Sequence, residues 1–139
     1  MTIFNTFDIS ASGLSAQRQR LNVISENMAN VNTTRMPGGG PYRRKNVVLE
    51  SEPMEKFASM LETPEKVKVV AVKEDPQEPR VEFDPTHPDA DDKGMVAMPN
   101  VNPVLEMVNL TMASRAFDAN VSVIRTAKTM AQKAIEIGR

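Results

Sequence analysis

The sequence predicts an α+β fold, in which two long terminal α-helices form an antiparallel coiled-coil-like pair around a small antiparallel β-hairpin and irregular insert. All ten prolines of the 139-residue chain lie between Pro37 and Pro103. Both ends lack proline and carry apolar residues at helical spacing, whereas the middle contains short β-favouring stretches. We therefore expect an N-terminal helical segment at 1–35, a β-rich insert at 36–102 and a C-terminal helical segment at 103–139.

The N-terminal segment carries a heptad-like apolar stripe. Its members are Phe4, Phe7, Ala11, Leu14, Leu21 and Met28. Steps of three and four residues place these side chains on one face of a helix, with Arg18 and Ser25 on the same seam. Asp8 or Ser10 is expected to cap this helix or lie in its first turn, and the polar and glycine-rich run after Asn30 is expected to end it near residue 33.

The insert contains three β-favouring stretches, at 46–50, 67–72 and 80–84. Prolines or charged residues separate these stretches, which favours a small hairpin module with irregular loops. Residues 55–62 favour a short helix.

The C-terminal segment carries a longer apolar stripe. It comprises Leu105, Val108, Met112, Ala116, Ala119, Val123, Ala127, Met130, Ala134 and Ile137. Pro103 suits the first helical position and Gly138 the end of the last turn. Helices of about 29 and 34 residues would be about 44 and 51 Å long, longer than a domain of this size is wide. We therefore expect partner molecules to bury part of these stripes.

Composition excludes several function classes. The formal net charge of −1 divides into +1 for residues 1–35, −4 for 36–103 and +2 for 104–139, so no nucleic-acid or membrane-surface field is indicated. The chain has no cysteine, which excludes disulfides and thiol chemistry. It contains neither an apolar run of membrane-spanning length nor an N-terminal secretory signal, so any export would require another machine.

An acidic loop around His87 is the one stretch that invites a metal or catalytic interpretation. Asp89 to Gly94 starts like a calcium loop, but Lys93 stands where an oxygen ligand is needed and Asn100 where the bidentate glutamate belongs. An ordinary acidic loop is therefore preferred over a metal site. His87 is the only histidine, and we expect it to be a turn residue that hydrogen-bonds locally. We expect no catalytic, cofactor-binding or metal-binding residues.

Two other short motifs have plain interpretations. The glycines at 38–40 are not followed by Lys-Ser or Lys-Thr and follow no predicted strand, so they indicate a hinge rather than a phosphate-binding loop. The basic run Arg43-Arg44-Lys45 has no accompanying basic surface, which favours a solvated strand start or a protein contact over phosphate binding.

Two terminal motifs resemble the signatures of bacterial flagellar axial proteins of the rod and hook. The N-terminal motif comprises Ser12-Gly13-Leu14-Ser15-Ala16, Leu21, Val23, Asn27 and Ala29-Asn30-Val31-Asn32-Thr33. The C-terminal motif comprises Glu106-Met107-Val108 and the run from Ala113 to Val121. Insert motifs at 39–45 and 83–102 are similar to a proximal-rod member of this family.

The resemblance implies a structural rod subunit that polymerises helically through its terminal helices into the torque-transmitting drive shaft and its export channel. It also implies passage through the flagellar type III export apparatus without a cleaved signal, and a periplasmic position in the basal body. The implied partners are the chain itself, neighbouring proximal and distal rod subunits, the rod-base adaptor and the export apparatus. We expect no nucleic acid, no membrane insertion and no small-molecule substrate.

The residues expected at assembly contacts fall into three sets. In the N-terminal helix they are Phe7, Leu14, Leu21, Asn27, Met28, Asn30 and Asn32. In the C-terminal helix they are Leu105, Val108, Met112, Arg115, Ala119, Asn120, Val123 and Met130. In the insert they are Tyr42, Arg43, Arg44, Asp84, Pro85, His87, Asn100 and Asn102. Two alternatives remain open on the residues alone: a coiled-coil adaptor unrelated to the flagellum, and a metal-dependent enzyme built on the acidic loop.

Overall fold

The computed structural model describes residues 3–54 and 64–138, over which two terminal helices enclose four strands. The elements in order are α1 (Ile3–Ala29), β1 (Lys45–Pro53), β2 (Glu65–Glu74), β3 (Arg80–Phe83), β4 (Met95–Met98) and α2 (Pro103–Ile137). The α+β fold class is confirmed. The short helix expected at 55–62 lies outside the described residues.

The two helices pair in antiparallel fashion. Near one end of the pair, Asn27 of α1 donates a hydrogen bond to Glu106 of α2. Further along, Gly13 of α1 lies against the side chain of Asn120. Because fourteen residues separate the two contacts on each helix, both helices advance by the same distance in opposite directions.

The observed ends of α2 agree with the predicted ends more closely than those of α1 do. Asn102 caps α2, since its side-chain Oδ1 accepts hydrogen bonds from the backbone N–H groups of Val104 at 3.0 Å and Leu105 at 3.2 Å. Helix α1 ends at Ala29, four residues before the expected boundary. It already includes Ile3, so Asp8 and Ser10 are interior positions of the helix and not its first turn.

The strands form two separate antiparallel hairpins. In the β1–β2 hairpin, Val48 faces Ala71 and Leu49 faces Val69, so Val70 is the extra residue of a β-bulge. The β1–β2 hairpin packs against α1, where Ser12 Oγ accepts a hydrogen bond from the backbone N–H of Val67 at 3.1 Å. The second hairpin pairs β3 with β4, a strand that the sequence did not indicate.

The buried faces of the two helices, which include the seam between them, lie mostly off the predicted apolar stripes. The buried residues are Ser10, Ala16, Val23, Ile24 and Asn27 on α1 and Glu106, Ala113 and Ala127 on α2; of these, Ala127 belongs to a predicted stripe. A step of one residue is about 100° around a helix, so much of each stripe lies on a neighbouring face. Arg18 and Ser25, expected on the seam, are exposed. Small side chains explain the close approach, because a Cβ at Gly13 would lie 3.1 Å from Asn120 Nδ2.

Candidate assembly surface and the polar junction

An apolar surface that the described part of the chain leaves uncovered runs along most of α2. It comprises Leu105, Val108, Met112, Val123 and Met130, which are 44% to 63% exposed and which we call the α2 stripe. Spacings of three, four, seven and eleven residues place these side chains on one side of the helix. Arg115 and Ala119 lie in the middle of the stripe and are also exposed. Continuous exposed apolar surface of this kind is typical of protein–protein contact sites.

The expected interface residues of α1 are covered to different degrees. Phe7, Leu14, Leu21 and Met28 recur every seven residues and are half-buried, so each retains some accessible apolar surface. Asn27 is fully buried, whereas Asn32 is exposed. Asn30 is used locally at the end of α1. Its side chain donates to the Glu26 carbonyl at 2.9 Å and accepts from the Thr33 hydroxyl at 3.1 Å.

A buried polar cluster joins the insert to the helical pair. It consists of Asn27, Tyr42, Arg44, Lys45 and Glu106, and we call it the polar junction. Asn27 is 1% exposed. Its Oδ1 accepts from the Tyr42 hydroxyl and the Lys45 backbone N–H, both at 2.9 Å. Its Nδ2 donates to the Lys45 carbonyl at 2.9 Å and to Glu106 Oε2 at 3.2 Å. The amide therefore has partners for all of its polar atoms, as burial requires.

Glu106 supplies the charge at the centre of the junction. This carboxylate is 0% exposed, and its Oε1 accepts from Arg44 Nε at 2.9 Å and Nη2 at 2.8 Å. The Arg44 side chain is itself only 17% exposed. Its Nη1 donates to Asn46 Oδ1 at 2.6 Å and lies 3.6 Å from a carboxylate oxygen of Asp75. A buried charge pair persists only when its remaining hydrogen-bonding groups are satisfied in this way.

The electrostatics of the junction keep Tyr42 neutral. Burial, reinforced by the nearby carboxylates of Glu26, Glu106 and Glu74, raises the pKa of Tyr42 to about 12. The phenol therefore stays protonated, and its O–H donates a hydrogen bond to Asn27 Oδ1. The Lys45 ammonium lies 5.6 Å from the centre of the Tyr42 ring and 2.5 Å from Glu26 Oε1.

The junction draws together four chain segments. Its residues come from the end of α1, the approach to β1 together with the first residue of that strand, and the first turn of α2. The loop before α2 joins through Asn100, whose Oδ1 accepts from the Arg44 backbone N–H at 2.9 Å. The orientation of the insert relative to the helices is thus set by hydrogen bonds that are shielded from water.

The acidic loop uses its carboxylates for local turns. Asp84 Oδ1 accepts from the Thr86 hydroxyl at 2.7 Å and its backbone N–H at 3.1 Å, and these bonds lower the pKa of Asp84. Asp91 Oδ1 accepts from the backbone N–H groups of Lys93 and Met95. In the parts of the chain that the structure describes, no group of three acidic or histidine side chains is placed to hold a metal ion.

His87 accepts a hydrogen bond at Nδ1 from the backbone N–H of Asp89 at 3.1 Å. This is the local turn contact expected from the sequence. Asp89 is also held by the segment that follows α1, because its Oδ2 accepts from the Thr34 hydroxyl at 2.7 Å and its Oδ1 lies 3.6 Å from Arg35 Nη1. The acidic loop is therefore fixed beside the junction end of the helical pair.

The eight insert residues that we expected to contact adjacent subunits fall into two groups in the structure. Tyr42, Arg44, Asn100 and Asn102 are engaged within the chain, in the polar junction or in the cap of α2. Arg43, Asp84 and Pro85 are exposed and His87 is half-buried. Whether any of the eight contacts an adjacent subunit stays a prediction.

Sequence reasoning missed that Glu106 anchors the junction. A signal was present: Glu106 is the only charged residue in the otherwise apolar first turns of α2, between Leu105 and Met107. An acidic residue near a helix N-terminus has an ordinary explanation in the helix dipole, so this position alone does not predict burial. The partner Arg44 is 62 residues away in sequence, and only the fold brings it close.

Comparison with known proteins identifies the class. A family model described as flagella basal body rod protein matches residues 7–35, and one described as flagellar basal body rod FlgEFG protein C-terminal matches residues 92–137. These segments include most of α1 and all of α2, so the helical pair is that of a flagellar basal-body rod protein.

Curated relatives narrow the identification. Flagellar basal-body rod protein FlgC of Yersinia enterocolitica is 43% identical to this chain, and that of Bacillus subtilis is 42% identical, each over the full length of both proteins. FlgC of Borreliella burgdorferi is 38% identical over 99% of this chain and 98% of that protein. The chain belongs to the FlgC family of flagellar basal-body rod proteins and is a structural subunit of the rod. The alternative of an unrelated coiled-coil adaptor gains no support from these comparisons.

Family membership places the chain in the flagellar basal body, in assembly with other rod components. Among the described residues, neither helix has the length and apolar character needed to cross a bilayer.

Proposed function

We propose that the chain is a proximal-rod subunit that polymerises helically with copies of itself and with neighbouring rod proteins. Residues 1–35 and 103–139 would form the axial core, and residues 36–102 a module carried on it. The role is mechanical and not catalytic: the subunit transmits torque and helps to enclose the export channel. The observation that carries this proposal is the α2 stripe, which remains exposed although α1 already covers the adjacent face of the same helix.

Assembly would bury what the single chain leaves accessible. Each large apolar side chain gains about 1.5–3 kcal/mol when it passes from full exposure to full burial. The five members of the α2 stripe are about half exposed, so their burial would contribute roughly 5 kcal/mol per subunit before entropic costs. Contacts between unlike faces give an open helical array of subunits when the rotation from one subunit to the next does not close a ring, and we propose that arrangement for the rod.

The polar junction suits the transmission of torque. It fixes the insert to both helices through the buried Arg44–Glu106 pair and the Asn27 amide. A force applied to the insert therefore reaches the helical pair through hydrogen bonds of fixed geometry, with no flexible linker at that point.

The route to the rod and the partners there belong to the same proposal. We propose export through the flagellar type III apparatus without a cleaved signal, followed by assembly in the periplasm. The partners would be proximal and distal rod subunits and the rod-base adaptor. The full-length similarity to basal-body rod proteins supports this route.

A matched pair of substitutions on α2 tests the proposal. Val123→Asp places a charge on the stripe, whereas Ser122→Asp places the same charge on an exposed neighbour outside it. We expect Val123→Asp to abolish swimming and to remove the chain from isolated basal bodies, while Ser122→Asp behaves as wild type. Normal swimming by Val123→Asp would contradict the burial of the stripe. Circular dichroism of both purified variants controls for misfolding.

A further inference from the structure

The β3–β4 hairpin presents an apolar patch within acidic surroundings. Val81 is 57% and Phe83 70% exposed, and because they are two residues apart on one strand they share a face. Gly94 allows the Phe83 ring its position, since a Cβ at residue 94 would lie 3.0 Å from Phe83 Cε2. Residues 78–98 contain six acidic and two basic side chains. We call Val81, Phe83 and this acidic surround the hairpin patch.

The last turns of α2 combine exposed apolar side chains with an excess of positive charge, which complements the acidic hairpin patch. Met130 is 63% and Ile137 86% exposed, and because they are seven residues apart on a helix they share a side, with Lys133 between them. Residues 125–137 contain three basic side chains, Arg125, Lys128 and Lys133, and one acidic side chain. The pairing that sets Gly13 against Asn120 brings Ile3 opposite Met130, so the turns after Met130 extend past the described part of α1. We call residues 125–137 the α2 end.

One chain cannot bring these two surfaces together. The hairpin patch lies at the junction end of the helical pair, because β4 stops at Met98, just before the Asn102 cap of α2. The Thr34–Asp89 hydrogen bond holds its loop there. The α2 end lies at the opposite end of a 35-residue helix, about 50 Å away.

We propose that the hairpin patch of one subunit docks on the α2 end of a second copy of this chain. This inference rests on the proposed function, because the contact is one made within the rod. The apolar members of the two surfaces would bury one another, and the net charges of −4 and +2 would attract. Since each copy carries both surfaces at opposite ends, the contact is head-to-tail and propagates from subunit to subunit.

The contact is small and would act together with the α2 stripe. Isolated interfaces below about 1,000 Å² are weak, but a second contact between molecules already held together benefits from their high effective concentration. The attraction between exposed charges falls as salt screens it. We therefore expect the contact to form in assembled rods.

Disulfide trapping tests the contact directly, because the chain has no cysteine of its own. The test variant combines Phe83→Cys with Ile137→Cys, and the control combines Phe83→Cys with Ser122→Cys in the middle of α2. Disulfides form only when the two Cα atoms come within about 7 Å. In basal bodies isolated after mild oxidation, we expect the test variant to give several-fold more cross-linked dimers and multimers of this chain than the control.

Charge reversal supplies a second readout if the cysteine variants assemble poorly. Asp92→Lys in the hairpin patch and Lys133→Glu in the α2 end should each lower the amount of this chain in basal bodies severalfold. The double variant should restore it. Failure of the double variant to restore assembly would overturn the pairing.

The outcomes also separate this inference from the rod assignment. If the cysteine variant swims and enters basal bodies but cross-links no more than the control, the contact is wrong and the rod function stands. Cross-links to a different rod protein would show that the hairpin patch contacts that protein and not a second copy of this chain. Absence of the wild-type chain from basal bodies would overturn the proposed function and this inference together.

Discussion

Arg44→Ala is the substitution that tests the polar junction most severely. It removes both donors to Glu106 Oε1 and leaves the carboxylate, which is 0% exposed, with the Asn27 amide at 3.2 Å as its side-chain partner among the described residues. Removing one partner of a buried ion pair typically costs about 3–5 kcal/mol, because the remaining charge stays desolvated. Since most domains are stable by about 5–15 kcal/mol, this is a large share of the total.

Thermal unfolding of the purified chain, followed by circular dichroism, measures the effect. At this chain length each kcal/mol shifts the Tm by about 3–5 °C, so Arg44→Ala should lower the Tm by about 10–20 °C. Lys66→Ala is the control, because it breaks the pair between Lys66 and Glu52, whose side chains are 43% and 38% exposed. We expect the control to leave the Tm almost unchanged. A Tm for Arg44→Ala equal to that of the control would refute the junction as the main tie between insert and helices.

Three further substitutions test Tyr42, the cap of α2 and the turn at Gly94. The pKa of Tyr42 rises from 10.0 to about 12 on folding, so protonated Tyr42 stabilises the folded chain below pH 10, and this stabilisation is lost as the pH rises towards 12. Tyr42→Phe should therefore flatten the fall in Tm between pH 10 and 12. An unchanged slope of Tm against pH would contradict the raised pKa. Asn102→Ala should cost about 1 kcal/mol in urea unfolding through loss of the α2 cap, and no change would contradict its capping role. Gly94→Ala places a side chain at φ +73° against Phe83 and Pro85, and should cost about 1–3 kcal/mol in the same assay, whereas Gly38→Ala, with open space around its Cβ, should not.

The sequence predicted the elements better than it predicted how they meet. The two helices followed from proline-free apolar stripes, and Pro103 marked the start of α2 because proline is tolerated at a first helical position. Strand β4 was missed because it has only four residues, and its methionines at 95 and 98 carry no strong strand preference.

The pairing seam was missed for a physical reason. Hydropathy patterns detect large apolar side chains, but the seam depends on small and polar ones such as Ser10, Gly13 and Ala113, which permit close approach of the helices. The large residues at Leu105 and Met112 therefore mark a different face. In an assembling protein the most apolar stripe need not be the one that its own chain covers.

The polar junction was beyond sequence reasoning because its partners are far apart in the chain. Asn27 was expected at an interface, yet its side chain is hydrogen-bonded within the chain to the backbone of Lys45, at the start of β1, and to Glu106 of α2. The sequence around Arg44 does not distinguish a buried ion-pair partner from a solvated basic residue. The two interpretations can be told apart only when the fold places Glu106 beside Arg44.

A cryo-EM reconstruction of basal bodies that contain this chain would show whether the α2 stripe is buried in the assembled rod. In the single chain, Val108 is 46% and Val123 44% exposed. We expect neighbouring subunits to reduce both side chains to nearly complete burial, with other apolar side chains against them. A rod in which these two residues face solvent or the open channel would contradict it.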